Sequence, residues 1–173
     1  MRVVITGTPG TGKTTVSEEI ADELDLEVVH LNQLIEEKGL STGVDEDRDT
    51  LVADIDAVTR ELESRDGVVI EGHLAHHLEG DSVIVLRCRP DVLKERLSER
   101  GYTEEKAREN AESEALDLIL SEAMAVHGEN VYEIDTTDKT PQEVVSEAID
   151  AVKENKTRTG VVNWFEFIEG LDS

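Results

Sequence analysis

The chain has 173 residues, the size of one domain around a single buried core. Its formal net charge is −24, from 41 acidic residues against 17 Lys plus Arg, which argues against a general nucleic-acid-binding surface. The lone cysteine, Cys88, excludes an intramolecular disulfide, and the absence of a secretory leader pattern or a long apolar run leads to the expectation of a cytoplasmic protein off the membrane.

In chain order, Arg2–Thr6 reads as a short buried strand. Gly7-x-x-x-x-Gly12-Lys13-Thr14 follows at once, the spacing of a phosphate-binding P-loop. Val16, Ile20 and Leu24 then share one face of a helix, so the motif stands between a strand and a helix. Further strands are expected at Glu27–His30, Val68–Glu71, Val83–Arg87 and Val131–Asp135. Helical patterns lie between them: Leu31–Lys38, stopped by Gly39; a run carrying Leu51, Ile55, Val58 and Leu62; a run opened by Pro90 and closed by Gly101; one long helix from Thr103 to Val126; and a last one opened by Thr140-Pro141. The polar stretch Ser41–Thr50 is expected to be a mobile loop. Alternating strands and helices define an α/β domain with a mostly parallel sheet, whose ligand lies beyond the carboxyl ends of the strands. There Gly7–Thr15, Glu71–His77 and Arg87 would emerge. The tail beyond residue 155 holds Trp164, Phe165 and Phe167, three of five aromatics, and is expected to pack on its own domain.

The loop's residue types fit phosphate chemistry. Gly7, Gly10 and Gly12 let the backbone turn its N–H groups toward an anion, and the helix start adds a positive dipole end. Lys13 supplies a charge for the β- and γ-phosphates, Thr14 a hydroxyl for Mg²⁺ and Thr15 a hydroxyl on the α-phosphate side. A second carboxylate is needed for the metal shell; Glu71 is the first candidate and Asp135 the rival. His73, two residues on, is read as orienting a water or the metal shell. His76 and His77 are taken as surface or packing residues, since nothing nearby in sequence completes a zinc set. Arg87, Arg89, Arg96 and Arg100 form the most basic stretch; Arg96 is assigned to surface ion pairs with Glu95 and Glu99, and Arg100 to a closing lid. Cys88 is read as a buried structural thiol. The acid-rich surface is either an interaction face or an adaptation to a very salty cytoplasm, and the even spread of charge favours the second.

GTPGTGKTT, VLRCRPDVLKERLSERGY and KARENAESEALD, in that order, resemble the sixth adenylate kinase isoenzyme family, over roughly residues 1 to 153. Those are small nucleotide kinases with ATPase activity, linked to maturation of small-subunit ribosomal RNA. The resemblance implies a nucleoside-monophosphate-kinase-like three-layer fold with a five-stranded parallel sheet over residues 1–155. It implies an NMP-binding segment near 30–51 and a lid near 99–109. ATP and Mg²⁺ contacts carry over to Gly10, Gly12, Lys13, Thr14, Thr15 and Arg100, and the family's acid-x-His element to Glu71-Gly72-His73. A small-subunit ribosomal protein of the platform, S-eleven type, and indirect pre-rRNA association are implied as partners. Two departures stand out. Glu71 replaces an aspartate, and Glu36 occupies the place of a monophosphate-binding arginine, leaving Arg48 as its substitute. Three functions follow: a nucleoside-monophosphate kinase acting on ATP and AMP, an ATPase assembly factor, or a kinase for a small metabolite.

Overall fold

The computed structural model describes residues 1–46 and 50–171; Arg48 lies outside the described residues. Five strands form one parallel sheet: β1 (Arg2–Gly7), β2 (Glu27–His30), β5 (Val68–Glu71), β6 (Ser82–Arg87) and β7 (Tyr132–Asp135). Their order is β2-β5-β1-β6-β7, so the P-loop strand lies in the centre. Every pairing in this sheet is parallel, as the α/β reading expects. The strands are apolar on both sides because both faces are covered by helices. Val3 and Ile5 point to the layer of α1 (Lys13–Leu24) and α7 (Pro141–Lys153), packing with Ile20 and Ala148. Val4, one residue out of phase, points to the opposite layer of α2 (Leu31–Lys38), α3 (Ile55–Leu62) and α6 (Leu118–His127), packing with Ile35, Leu62 and Leu120.

Three elements differ from the sequence reading. Ser41–Thr50 is not simply a loop: β3 (Ser41–Asp45) and β4 (Thr50–Ala53) pair as an antiparallel ribbon. Leu51 therefore belongs to a strand, and the third helix starts only after Asp54, whose side chain caps it by accepting from Ala57 N. The long helix expected from Thr103 to Val126 is two, α5 (Glu104–Ala115) and α6, broken where Asp117 takes a left-handed φ of 54°. The reason is an ion pair: that turn brings Asp117 to Arg87.

Arg87 itself is a correction. The basic stretch suggested a residue facing the phosphates. Instead Arg87 is 1% exposed and enclosed by acids. It donates to Glu114 Oε1 at 2.5 Å, Glu133 Oε2 at 2.6 Å and Asp117 Oδ1 at 2.6 Å, with the Trp164 ring 5.0 Å away. Glu114 and Glu133 are buried; Glu114 keeps its carboxyl above the usual range because burial outweighs the attraction of Arg87. The tail lies on this cluster. Trp164 is buried, and Ile168 of α8 (Glu166–Leu171) packs on Ala111 and Ala115 of α5. Upstream, Arg158 bridges to Tyr132 as a parallel partner of β7.

Candidate active site

The P-loop leaves β1 at the carboxyl edge of the sheet. Gly7, Gly10 and Gly12 have φ of 151°, 92° and 94°. At Gly10 the space is also used up: a Cβ would meet Leu93 Cδ1 at 2.9 Å and Leu97 Cδ2 at 3.0 Å, both from α4 (Pro90–Glu99). At Gly12 a Cβ would meet nothing within 4 Å, leaving an open hollow. The loop is held by Thr11 Oγ1, which donates to Thr8 O at 2.8 Å. Lys13 Nζ folds back onto the same oxygen at 3.2 Å.

The fit of this loop to a phosphate chain rests on the start of α1. Its N-cap, Gly12, offers no side-chain acceptor, and its first turn holds no acid. The helix therefore begins with N–H groups that no side-chain cap satisfies and a positive end that nothing in its own sequence neutralises. In a chain this acidic, that is a selective omission. Thr14 and Thr15 are exposed beside it, available for the oxygens or metal of a nucleotide.

The strand order sets the two candidate carboxylates at different distances from the P-loop strand. Glu71 ends β5, the neighbour of β1, in register with Ile5. It is buried and accepts from His30 Nδ1 at 2.8 Å, a partner that the sequence reading did not find. His30 ends β2 directly opposite Glu71, but only the strand order reveals this. Asp135 ends β7 at the far side of the sheet. It is occupied in a local turn, accepting from Thr137 N at 3.0 Å and Thr137 Oγ1 at 2.6 Å.

Charge ties the remaining residues to Lys13. Burial pushes its ammonium down to about 8, opposed by the Glu71 carboxylate and reinforced by Arg100. Arg100, exposed at the C-cap of α4, has no ion pair among the described residues and is thus free to act on an incoming anion. The expected pairing of Arg96 with Glu95 and Glu99 is likewise not formed among the described residues; Arg89 instead pairs with Asp91 at 2.6 Å. Burial, helped by Lys13 and His76, pushes the His73 imidazole down to about 4, so it is neutral at ordinary pH. His76 is fully buried, the packing rather than the surface alternative, and Cys88 is buried as read. Glu36, on the exposed face of α2, brings a negative charge to the segment read as acceptor-binding.

A Gly-rich loop on the central strand, an uncapped helix start, an invading lysine and a carboxylate on the adjacent strand define a P-loop kinase, an enzyme of the phosphotransferase class. Comparison with known proteins agrees with that class. Residues 3–117 match the family described as "AAA domain". A protein of Natronomonas pharaonis named "Putative adenylate kinase" is 56% identical over 172 residues, covering 99% of this chain and 100% of its own. A Methanocaldococcus jannaschii protein of the same name is 42% identical over 170 residues, covering 96% and 94%. The chain belongs to this AAA-domain family and, within it, to the group of archaeal proteins carrying that name. Among solved structures, shikimate kinase from Acinetobacter baumannii in complex with shikimate has a TM-score of 0.60 at 22% identity, covering 90% of this chain and 94% of that one, a likeness of fold.

Proposed function

We propose that the protein is a nucleoside-monophosphate kinase, moving the γ-phosphoryl group of ATP onto AMP or a close relative so that both nucleotides leave as ADP. The names of its archaeal relatives support the acceptor. The observation that carries the reading is the uncapped start of α1 with Lys13 folded beside it. Backbone N–H groups between Gly10 and Thr15 bind phosphate oxygens, with Gly7 setting the turn. Lys13 exchanges its contact with Thr8 O for the β- and γ-oxygens. The Thr14 hydroxyl and, through water, Glu71 would hold Mg²⁺, which when bound would supply positive charge to offset that of the phosphate oxygens. Arg100, from a lid near 99–109, closes over the transferring group. No side chain need bond covalently to it, since positioning and charge do the catalytic work. The acceptor segment near 30–51 contains Arg48, which we assign to the monophosphate.

A second reading is hydrolysis, with water as the acceptor. It is favoured by His73, a neutral imidazole under the influence of Lys13, which can align a water by hydrogen bonding. The resemblance to the sixth isoenzyme family supports coupling of that hydrolysis to small-subunit rRNA maturation through a platform ribosomal protein, in the cytoplasm of a halophile.

The test is nucleotide analysis in concentrated KCl with Mg·ATP, with and without AMP. The expected result is joint consumption of ATP and AMP into ADP, abolished in a folded Lys13→Ala variant. Hydrolysis to ADP and phosphate with AMP untouched would replace the first reading by the second. Full turnover by a folded Lys13→Ala protein would remove the site assignment altogether.

A further inference from the structure

Behind the nucleotide loop, on the side away from Lys13's helix, lies a second group of chemistry-bearing side chains. The 3-10 turn Ala75–His77 follows β5 and packs on α6. It sets two adjacent imidazoles beside each other, tilted, with ring centres 4.3 Å apart and planes at 40°. Both point at one carboxylate oxygen from α6: Glu122 Oε2 is 2.8 Å from His76 Nε2 and 3.7 Å from His77 Nε2. One donor atom from each of the three residues lies within 4.8 Å of the other two. We propose that His76, His77 and Glu122 form a zinc site, with a water or an exogenous ligand in the fourth position.

The donor set and its support fit that metal. Two imidazole nitrogens and one carboxylate oxygen are ligands that Zn²⁺ takes in tetrahedral geometry, at about 2.0–2.2 Å each, so neighbouring donors stand about 3.4 Å apart. The two distances on Glu122 Oε2 bracket that value. Glu122 and His77 are both half-exposed, which leaves their side chains room to turn toward a shared ion. The inner ligand is already oriented. His76 is fully buried, and its Nδ1 lies 2.8 Å from Thr6 Oγ1, also fully buried. Zinc-ligating histidines are held in this way, one ring nitrogen bonded to the protein and the other turned to the metal. The turn is fixed from outside too, because His127 Nε2 donates to His76 O at 2.7 Å. The outer ligands open to solvent, giving the ion a path in. The sequence concealed the site because Glu122 follows the two histidines only after 45 residues, on another element.

The experiment is zinc titration of the intact, metal-stripped protein by calorimetry, with Co²⁺ as a spectroscopic substitute for zinc. One equivalent should bind, with visible Co²⁺ bands of a four-coordinate site. His77→Ala and Glu122→Ala, both outside the packed core, should fold normally and weaken zinc binding more than tenfold. Thr6→Val keeps shape but removes the hydroxyl behind His76, and should weaken it about 10–100-fold. Thr14→Ala, altered only in the P-loop, should bind zinc as the parent does. No binding by the parent protein, equal binding by His77→Ala, or loss of binding in a folded Thr14→Ala protein would each overturn the assignment.

Discussion

Replacing Arg87 by methionine tests the buried acid cluster most directly. The substitution keeps an apolar stem of similar reach but withdraws the cation that Glu114, Glu133 and Asp117 share. Asp117 can turn to water, since its side chain is 27% exposed, whereas those of Glu114 and Glu133 are 3% and 0% exposed and cannot. Removing one partner of a buried ion pair costs about 3–5 kcal/mol, because the other is left charged and unpaired. Loss of the cation beneath Trp164 adds roughly 1 kcal/mol. A domain of this size shifts by about 2–4 °C per kcal/mol, so the melting temperature should fall by roughly 10–20 °C. The loss should also depend on pH. Without Arg87 the Glu114 carboxyl, already held above its unfolded value by burial, rises further. A carboxyl raised on folding destabilises the native state above its folded pKa, and the penalty shrinks as acid protonates it. Paired thermal and urea melts of the parent and Arg87→Met should therefore converge as the pH is lowered from neutral. A difference under about 1 kcal/mol, or one indifferent to pH, would refute the account of the cluster as mutually dependent charges.

Three further outcomes are expected. Gly10→Ala should weaken nucleotide binding and cost at least about 1 kcal/mol of stability, because φ is 92° and the new methyl would press on Leu93 and Leu97; titration with a nucleotide and a melt on the same sample check both. Cys88 should resist thiol reagents in the native protein near neutral pH, since burial pushes its thiol up to about 11, and react only when denaturant is added. Melting temperature should climb as KCl approaches molar concentration, because screening relieves the self-repulsion of a chain at −24; a flat response would assign the acids to a dedicated interface instead.

The sheet was readable in the sequence because β1, β5 and β6 are short apolar runs ended by Gly or a charge, and the P-loop because its glycines have few other uses at that spacing. What could not be read depends on which strands become neighbours. The choice of Glu71 over Asp135 next to the P-loop is fixed by the order β2-β5-β1-β6-β7, not by either residue's local context. His30 at Glu71 and Glu122 at His76 are contacts across 41 and 46 residues. Arg87 shows the limit most plainly. An arginine at a strand end in a basic stretch looks like a phosphate ligand, and only the burial of Glu114 and Glu133 around it reveals a structural ion. The same cluster explains the broken helix, since residues 103–126 have adequate propensity throughout and bend to bring Asp117 inward. The β3–β4 ribbon escaped notice because β3 is polar but for Val44 and largely exposed.

The parallel bridge between Arg158 and Tyr132 has a consequence for how these molecules share a crowded compartment. An open sheet edge is an invitation for another chain to add a strand. Here Arg158 N donates to Val131 O and Glu133 N to Arg158 O, so the ladder of β7 is already occupied by the protein's own tail. Trimming the chain before Lys156 would uncover that edge and take Trp164 off Arg87 in one stroke. The tail thus caps part of that edge with its own backbone while it also covers the buried cluster.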